Sequence, residues 1–144
     1  MVRARILLAD DHIEMRDRIK RLLDGEFDVL DAVEDGRAFL EAASKLKPDL
    51  CLLDISMPVL DGIETAIRLK QSEPTAKIVF LTIHEGIDFV QAAFETGALG
   101  YVVKRRMMSD LRPAINEALA GRTFISSSIA LGVTGGENGP LTSS

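Results

Sequence analysis

Five polar residues in this chain stand where short apolar runs end. Asp10 and Asp11 follow Ile6-Leu-Leu-Ala9, and Asp54 follows Leu50-Cys-Leu-Leu53. Thr82 closes Ile78-Val-Phe-Leu81, and Lys104 follows Tyr101-Val-Val103. Brought together they form three carboxylates, a hydroxyl and an ammonium. Carboxylates that close repel, at roughly 1–4 kcal/mol per pair about 4 Å apart. Lys104 supplies one compensating charge, and a hard divalent cation would supply the rest. An all-oxygen donor set suits Mg²⁺, and no Cys/His cluster suggests zinc. Such a site is equipped for phosphoryl transfer to an aspartate: the attacking oxygen is already ionised, and positive groups neutralise the transferring phosphoryl. No general base is required, so the lack of a suitably placed His or Cys is no objection. Taken singly, each residue has a plainer reading. An acidic pair after a strand is often a helix start, a threonine there a capping hydroxyl, and a lysine a solvated one.

The elements that must position these residues are legible. Leu50–Leu53 is apolar on both faces, as a central parallel strand requires. Ending it on Asp54 is a costly place for a charge unless the charge works or is paired. Arg5–Ala9, Phe27–Val33, Lys77–Thr82 and Leu99–Val103 read as the other strands, with Phe27–Val33 alternating and nearer an edge. Helices follow each. Met15, Ile19, Leu22 and Leu23 mark the first, stopped at Gly25. Phe39, Ala42, Ala43 and Leu46 mark the second, closed by Lys47-Pro48. Asp61 with Glu64 reads as a capping box opening the third. Val90, Ala93 and Phe94 mark a fourth, and Ser109 is expected to cap a fifth carrying Leu111, Ile115 and Leu119. Five strand–helix units predict an α/β fold: a flavodoxin-like doubly wound, five-stranded parallel sheet of order 2-1-3-4-5 with five helices. In such a sheet, ligands bind outside the carboxyl ends of the strands where the order reverses, between strands 1 and 3. All five polar residues then converge there.

Composition bounds the rest. The 144 residues are 47% hydrophobic and 27% charged, which is a globular balance. No apolar run approaches the roughly 20 residues of a spanning helix. The basic-then-apolar start breaks at Asp10-Asp11, short of the ~7–15 residues of a signal-peptide core, so a cytoplasmic protein is expected. The net charge of −5 argues against DNA binding by this chain itself. Cys51, the one cysteine, reads as a buried thiol.

The motifs in this order resemble the receiver domain of two-component response regulators. They are Leu-Leu-Ala-Asp10-Asp11-His, Leu-Leu-Asp54-Ile-Ser-Met-Pro-Val-Leu-Asp-Gly, Phe-Leu-Thr82 and Gly-Ala-Leu-Gly-Tyr101-Val-Val-Lys104. The likeness covers about residues 3–122. It implies that Asp54 accepts a phosphoryl group from a histidine kinase or phosphotransfer protein. It also implies that Asp11, Asp54 and the main-chain carbonyl of Ser56 bind Mg²⁺, with Asp10 acting largely through water. Lys104 and Thr82 would contact the phosphoryl group. Thr82 and Tyr101 would form the switch, which remodels the face made by the fourth helix, fifth strand and fifth helix and permits homodimerisation. The chain would be a phosphoacceptor with only self-catalysed phosphorylation and dephosphorylation, not an enzyme acting on other substrates. Without the resemblance, Tyr101 reads as a half-buried aromatic.

Two positions depart from the usual pattern. Ile83 stands where a small residue is common, and its bulk is expected to slow water reaching the acyl phosphate. Arg105 follows Lys104 where proline across a cis bond is frequent; a non-proline cis bond costs about 3 kcal/mol, so a trans bond is expected. His84 reads as a solvent-facing loop residue at the site mouth. Ile125-Ser-Ser-Ser-Ile129 resembles the end of receivers of the NarL/FixJ (LuxR-type helix-turn-helix) subfamily, and Gly139-Pro-Leu-Thr-Ser-Ser144 the approach to its DNA-binding domain. Residues 1–122 are thus expected to be the receiver, and 123–144 a linker or tail towards an output domain outside the chain. Phe124–Val133 is expected to hold a short apolar turn.

Other classes fit less well. An aspartate-nucleophile phosphatase places its nucleophile first in Asp-x-Asp after strand 1, whereas Asp10 and Asp11 are adjacent. A flavodoxin needs a Ser/Thr/Gly phosphate loop where this chain has acids. A receiver-like scaffold that is never phosphorylated is the serious rival, separable by treatment with a phosphodonor.

Overall fold

The computed structural model describes residues 2–127 and Ile129. Strands β1 (Arg5–Ala9), β2 (Asp28–Val33), β3 (Leu50–Leu53), β4 (Ile78–Thr82) and β5 (Gly100–Val103) alternate with helices. The helices are α1 (Ile13–Leu23), α2 (Gly36–Leu46), α3 (Gly62–Ser72), α4 (Ile87–Glu95) and α5 (Met107–Leu119). All pairings are parallel, in the order β2-β1-β3-β4-β5-β6. The expected order 2-1-3-4-5 is therefore present, with a sixth strand, β6 (Phe124–Ile125), added beside β5. Two residues are too few to show an alternation, which is why that segment reads as a turn in sequence. The packed body also continues past Arg122, where the residue pattern predicts the start of a linker. Ser126 Oγ accepts the Val103 N–H at 3.1 Å, and Ile129 is buried in the core. The Gly/Ser/Thr-rich segment 134–144 lies outside the described residues.

Period-two alternation splits the sheet into two apolar layers. Leu7, Ala9, Cys51, Leu53, Phe80, Tyr101 and Val103 face the side of α2, α3 and α4. Ile6, Leu8, Leu50, Leu52, Val79, Leu81 and Val102 face α1 and α5. β3 and β4 are buried at every position, whereas no residue of β2 is fully buried. Each fully buried Leu or Ile contributes about 1.5–3 kcal/mol, so the centre of the sheet is its most firmly held part. Burial also pushes the Cys51 thiol up to about 12, consistent with an inert core residue.

The helix starts nearest the site differ in how they are made. Asp61 caps α3, its Oδ1 accepting the Glu64 N–H at 2.8 Å. The reciprocal half of the capping box is missing, because Glu64 instead pairs with Arg68 at 3.1 Å. Asp61→Ala is therefore expected to cost about 1 kcal/mol, and Glu64→Ala clearly less, as read from urea midpoints. α5 begins at Met107 without a side-chain cap, and Ser109 is not its cap. Ser109 sits inside the first turn, its hydroxyl on the Arg106 carbonyl at 3.2 Å and Asp110 Oδ1 at 2.9 Å. A short 3₁₀ turn over Lys104–Arg106 has already started the helical winding upstream, and residue-type patterns do not reveal this.

Candidate functional site

The register places the ends of β1, β3, β4 and β5 side by side. Ala9 pairs with Leu53, Leu53 with Phe80, and Thr82 with Val103. One residue past these ends, Asp10 and Asp54 are buried, with 1% and 4% exposure. Main-chain bonds fix both. The Asp10 N–H donates to the Val33 carbonyl at 3.0 Å, and the Asp54 N–H to the Ala9 carbonyl at 3.1 Å. The Ile55 N–H meets Asp54 Oδ1 at 2.7 Å, which leaves Oδ2 for Lys104.

Lys104 crosses from the end of β5 to join the two acids. Its Nζ lies 2.7 Å from Asp10 Oδ2 and 2.8 Å from Asp54 Oδ2. Only the bond to Asp54 has hydrogen-bond geometry; Asp10 Oδ2 is buried with no hydrogen-bond partner, so its contact with Lys104 is an ion pair. Burial raises the Asp54 carboxyl above the ordinary carboxylate range, and the Asp10 charge adds to this. The Lys104 bond and the Thr82 hydroxyl oppose the rise without cancelling it. Burial alone would pull the Lys104 ammonium down, but the contacts with Asp10 and Asp54 outweigh it and hold its pKa up. One ammonium against two buried carboxylates leaves the pocket net negative. Asp11 is more exposed and stands at the rim.

The remaining expected residues sit on the β4 and β5 side. Thr82 is fully buried, and its Oγ1 accepts the His84 N–H at 3.3 Å. Tyr101 is fully buried rather than half-buried, its ring 6.5 Å from both Phe80 and Phe94. Its hydroxyl donates to the His84 carbonyl at 2.8 Å. Burial, and then the charges of Asp54 and Glu85, raise the phenol pKa, so this hydroxyl stays a donor. Thr82 and Tyr101 thus grip the two sides of one residue's main chain. Ser56 lies exposed two residues beyond Asp54, its hydroxyl 2.6 Å from His84 Nε2.

His84 differs from the expected solvent-facing residue. Its ring stacks on Phe89 of α4 at 4.1 Å while bonding Ser56, so it ties the loop after β3 to α4. The sequence separation of Ser56 and His84 hides this contact. No cis peptide occurs among the described residues, in keeping with a trans bond before Arg105. Arg105 reaches the loop after β4 instead, holding Glu85 with two bonds of 2.7 and 2.9 Å. Sequence reasoning also misses Arg16. One turn into α1, its Nη1 donates to the Asp10 carbonyl at 2.6 Å and steadies the acidic loop. His12 follows the acidic pair in the first motif, and residue type alone assigns it no role; its ring lies against both acids.

The donor set fits a divalent cation. Atoms of Asp10, Asp11 and His12 lie within 4.8 Å of one another. The pocket carries surplus negative charge, with one ammonium against two buried carboxylates. Asp54 meets this group through Lys104 rather than by direct membership.

Comparison with known proteins identifies the family. The profile of the response regulator receiver domain matches residues 6–116. The transcriptional regulatory protein DegU of Brevibacillus brevis is 35% identical over 122 residues, covering 83% of this chain and 52% of DegU. The chain thus spans about half the length of that relative. Among solved structures, a LuxR-family two-component response regulator from Aurantimonas sp. SI85-9A1 superposes with a TM-score of 0.89 at 33% identity, covering 94% of this chain and 98% of that one. The isolated receiver domain of RcsB from Salmonella enterica serovar Typhimurium, studied with the phosphomimetic BeF3⁻, superposes with a TM-score of 0.82 at 25% identity, covering 90% and 97%. With acids at the ends of β1 and β3 joined by a lysine from β5, on this strand order, the chain belongs to the response regulator receiver domain family.

Proposed function

We propose that this chain is a phosphorylation-activated signalling switch whose acceptor is Asp54. The observation that carries the reading is the Lys104 Nζ bond, 2.8 Å from Asp54 Oδ2, at the buried end of the central strand. An Asp54 oxygen attacks the phosphorus of a phosphohistidine on a histidine kinase or phosphotransfer protein. The new O–P bond forms as the N–P bond breaks, and the electron pair leaves with the imidazole. Lys104 counters charge on the phosphoryl oxygens, and the Thr82 hydroxyl bonds one of them. Mg²⁺ held by Asp10, Asp11, Asp54 and the Ser56 carbonyl would add charge neutralisation there. The chain is an acceptor that catalyses only its own phosphorylation and dephosphorylation, in the cytoplasm. No described helix is long and apolar enough to cross a membrane.

The signal leaves through the His84 main chain. When Thr82 turns its hydroxyl to the phosphoryl group, its bond to the His84 N–H is given up. The loop that also carries the Tyr101 bond then shifts. The surface of α4, β5 and α5 becomes a homodimer contact, and a DNA-binding output domain is released to regulate transcription. The relative's role as a transcriptional regulatory protein supports that output. Incubation with a small phosphodonor and Mg²⁺ tests the reading. A mass gain of one phosphoryl group that Asp54→Asn abolishes is expected; no gain, or a gain that survives the substitution, rejects it.

Ile83, 68% exposed, directly follows the buried Thr82 at the end of β4. Ile83→Ala is expected to speed loss of the phosphoryl group several-fold, by opening a path for water. Equal decay rates for the two proteins would contradict this.

A further inference from the structure

His12 occupies the N-cap position of α1, yet its side chain does not cap the helix. The ring turns back over the two preceding acids instead. Nδ1 lies 3.0 Å from Asp11 Oδ1 and 3.5 Å from Asp10 Oδ1. Two donors each about 2.1 Å from one ion are about 3.0 Å apart at a right angle and about 3.4 Å apart at a tetrahedral angle. The two contacts are close to those spacings, and one ligand atom from each of the three side chains lies within 4.8 Å of the others. Asp10 is held in place, because the His12 N–H bonds its Oδ1 at 2.9 Å and Arg16 bonds its carbonyl. Its other oxygen, Oδ2, faces Lys104 Nζ at 2.7 Å. His12 is 72% exposed, so its ring can meet an ion entering from solvent.

We infer that His12 is a further ligand beside Asp10 and Asp11 that turns the site towards later first-row transition ions such as Co²⁺, Ni²⁺ or Zn²⁺, in competition with Mg²⁺. The inference rests on the reading that the acidic pair holds a divalent cation. Imidazole nitrogen suits these ions and adds little for Mg²⁺, which favours oxygen and retained water. Added to the proposed set of Asp10, Asp11, Asp54 and the Ser56 carbonyl, the imidazole gives a mixed nitrogen and oxygen donor set.

Titration calorimetry of the full chain with MgCl₂ and with CoCl₂ tests this, together with the visible spectrum of bound Co²⁺. His12→Ala is expected to weaken Co²⁺ binding by roughly tenfold or more, the scale on which losing a supporting group at a metal site is felt. It should leave Mg²⁺ affinity within about twofold. The bound-Co²⁺ spectrum should also change, through loss of a nitrogen donor. His84 is the chain's only other histidine, and His84→Ala should keep the Co²⁺ affinity. Three results overturn the inference: unchanged Co²⁺ affinity in His12→Ala, equal loss of both ions, which marks a collapsed loop, or loss on His84→Ala instead. Phosphoryl uptake with Mg²⁺ is read separately, so failure of His12 as a ligand and failure of Asp54 as the acceptor are distinguishable.

Discussion

Lys104→Met is expected to produce a protein that is both markedly less stable and nearly unable to take up a phosphoryl group. The substitution keeps most of the side chain's bulk and removes its charge. In the native protein that charge lies 2.7 and 2.8 Å from two carboxylates buried to 1% and 4% exposure. Without it they face each other with no cation. Breaking a buried ion pair by removing one partner costs about 3–5 kcal/mol, and that is the loss expected in metal-free buffer at pH 7. The pH dependence follows from Asp54. Its pKa is raised by burial in the folded state even with Lys104 present, and rises further without it. A carboxyl with a raised folded pKa contributes stability below its unfolded pKa, and that contribution is lost as pH climbs through the folded value. The deficit of Lys104→Met should therefore shrink towards pH 4 and widen towards pH 8. Urea denaturation in a chelator at several pH values measures it. Phosphoryl uptake from a small donor should fall by roughly 10²-fold or more, the usual scale for removing one charge-stabilising group. A pH-independent deficit, or uptake at the native rate, contradicts the roles given to Lys104.

Gly62→Ala is the second large effect, and its cause is steric. Gly62 is the first residue of α3 and packs directly on the end of β3. A Cβ there would overlap the main-chain carbonyl of Asp54. It would also stand 2.8 Å from the Asp54 carbonyl carbon and 2.9 Å from the Ile55 Cα. These are backbone atoms at the end of the most buried strand, so they cannot turn aside as a side chain would. The Gly62 N–H to Ile55 carbonyl bond of 2.8 Å must lengthen or the Asp54 peptide must move. One added methyl group is expected to cost about 3 kcal/mol or more, within the range of overpacking and broken backbone bonds. Whatever fraction folds should accept phosphoryl groups poorly, because Asp54 is displaced. Circular dichroism against urea, with phosphoryl uptake on the same samples, checks both parts. The Asp61→Ala variant one residue earlier should lose only the cap and keep its uptake, which separates steric damage at Asp54 from simple weakening of α3.

The parts legible in sequence are those set by local pattern. Leu50–Leu53, apolar on both faces and ending in an acid, is observed as a four-residue strand buried throughout. The strand order follows from five strand–helix units, and it brings Asp10, Asp54, Thr82 and Lys104 to one end of the sheet. What escapes the sequence are contacts between distant loops or features too short for a period. β6 is two residues long. The α5 start is hidden by the 3₁₀ turn before it. The contacts of His84 with Ser56 and Phe89 depend on separate segments meeting, and Arg16 acts through a main-chain carbonyl that no side-chain pattern marks. His12 escapes for a different reason: its type and place assign it no role until the direction of its ring is known.

On the proposed reading Asp54, and neither acid of the β1 pair, receives the phosphoryl group. Trapping it directly is the most decisive measurement. The chain is treated with a small phosphodonor and Mg²⁺, reduced with borohydride, which converts an aspartyl phosphate to homoserine, and digested for peptide mass spectrometry. Homoserine at position 54 alone is the predicted result. Homoserine at position 10 or 11, or a phosphorylated protein in which position 54 remains aspartate, would contradict the assignment.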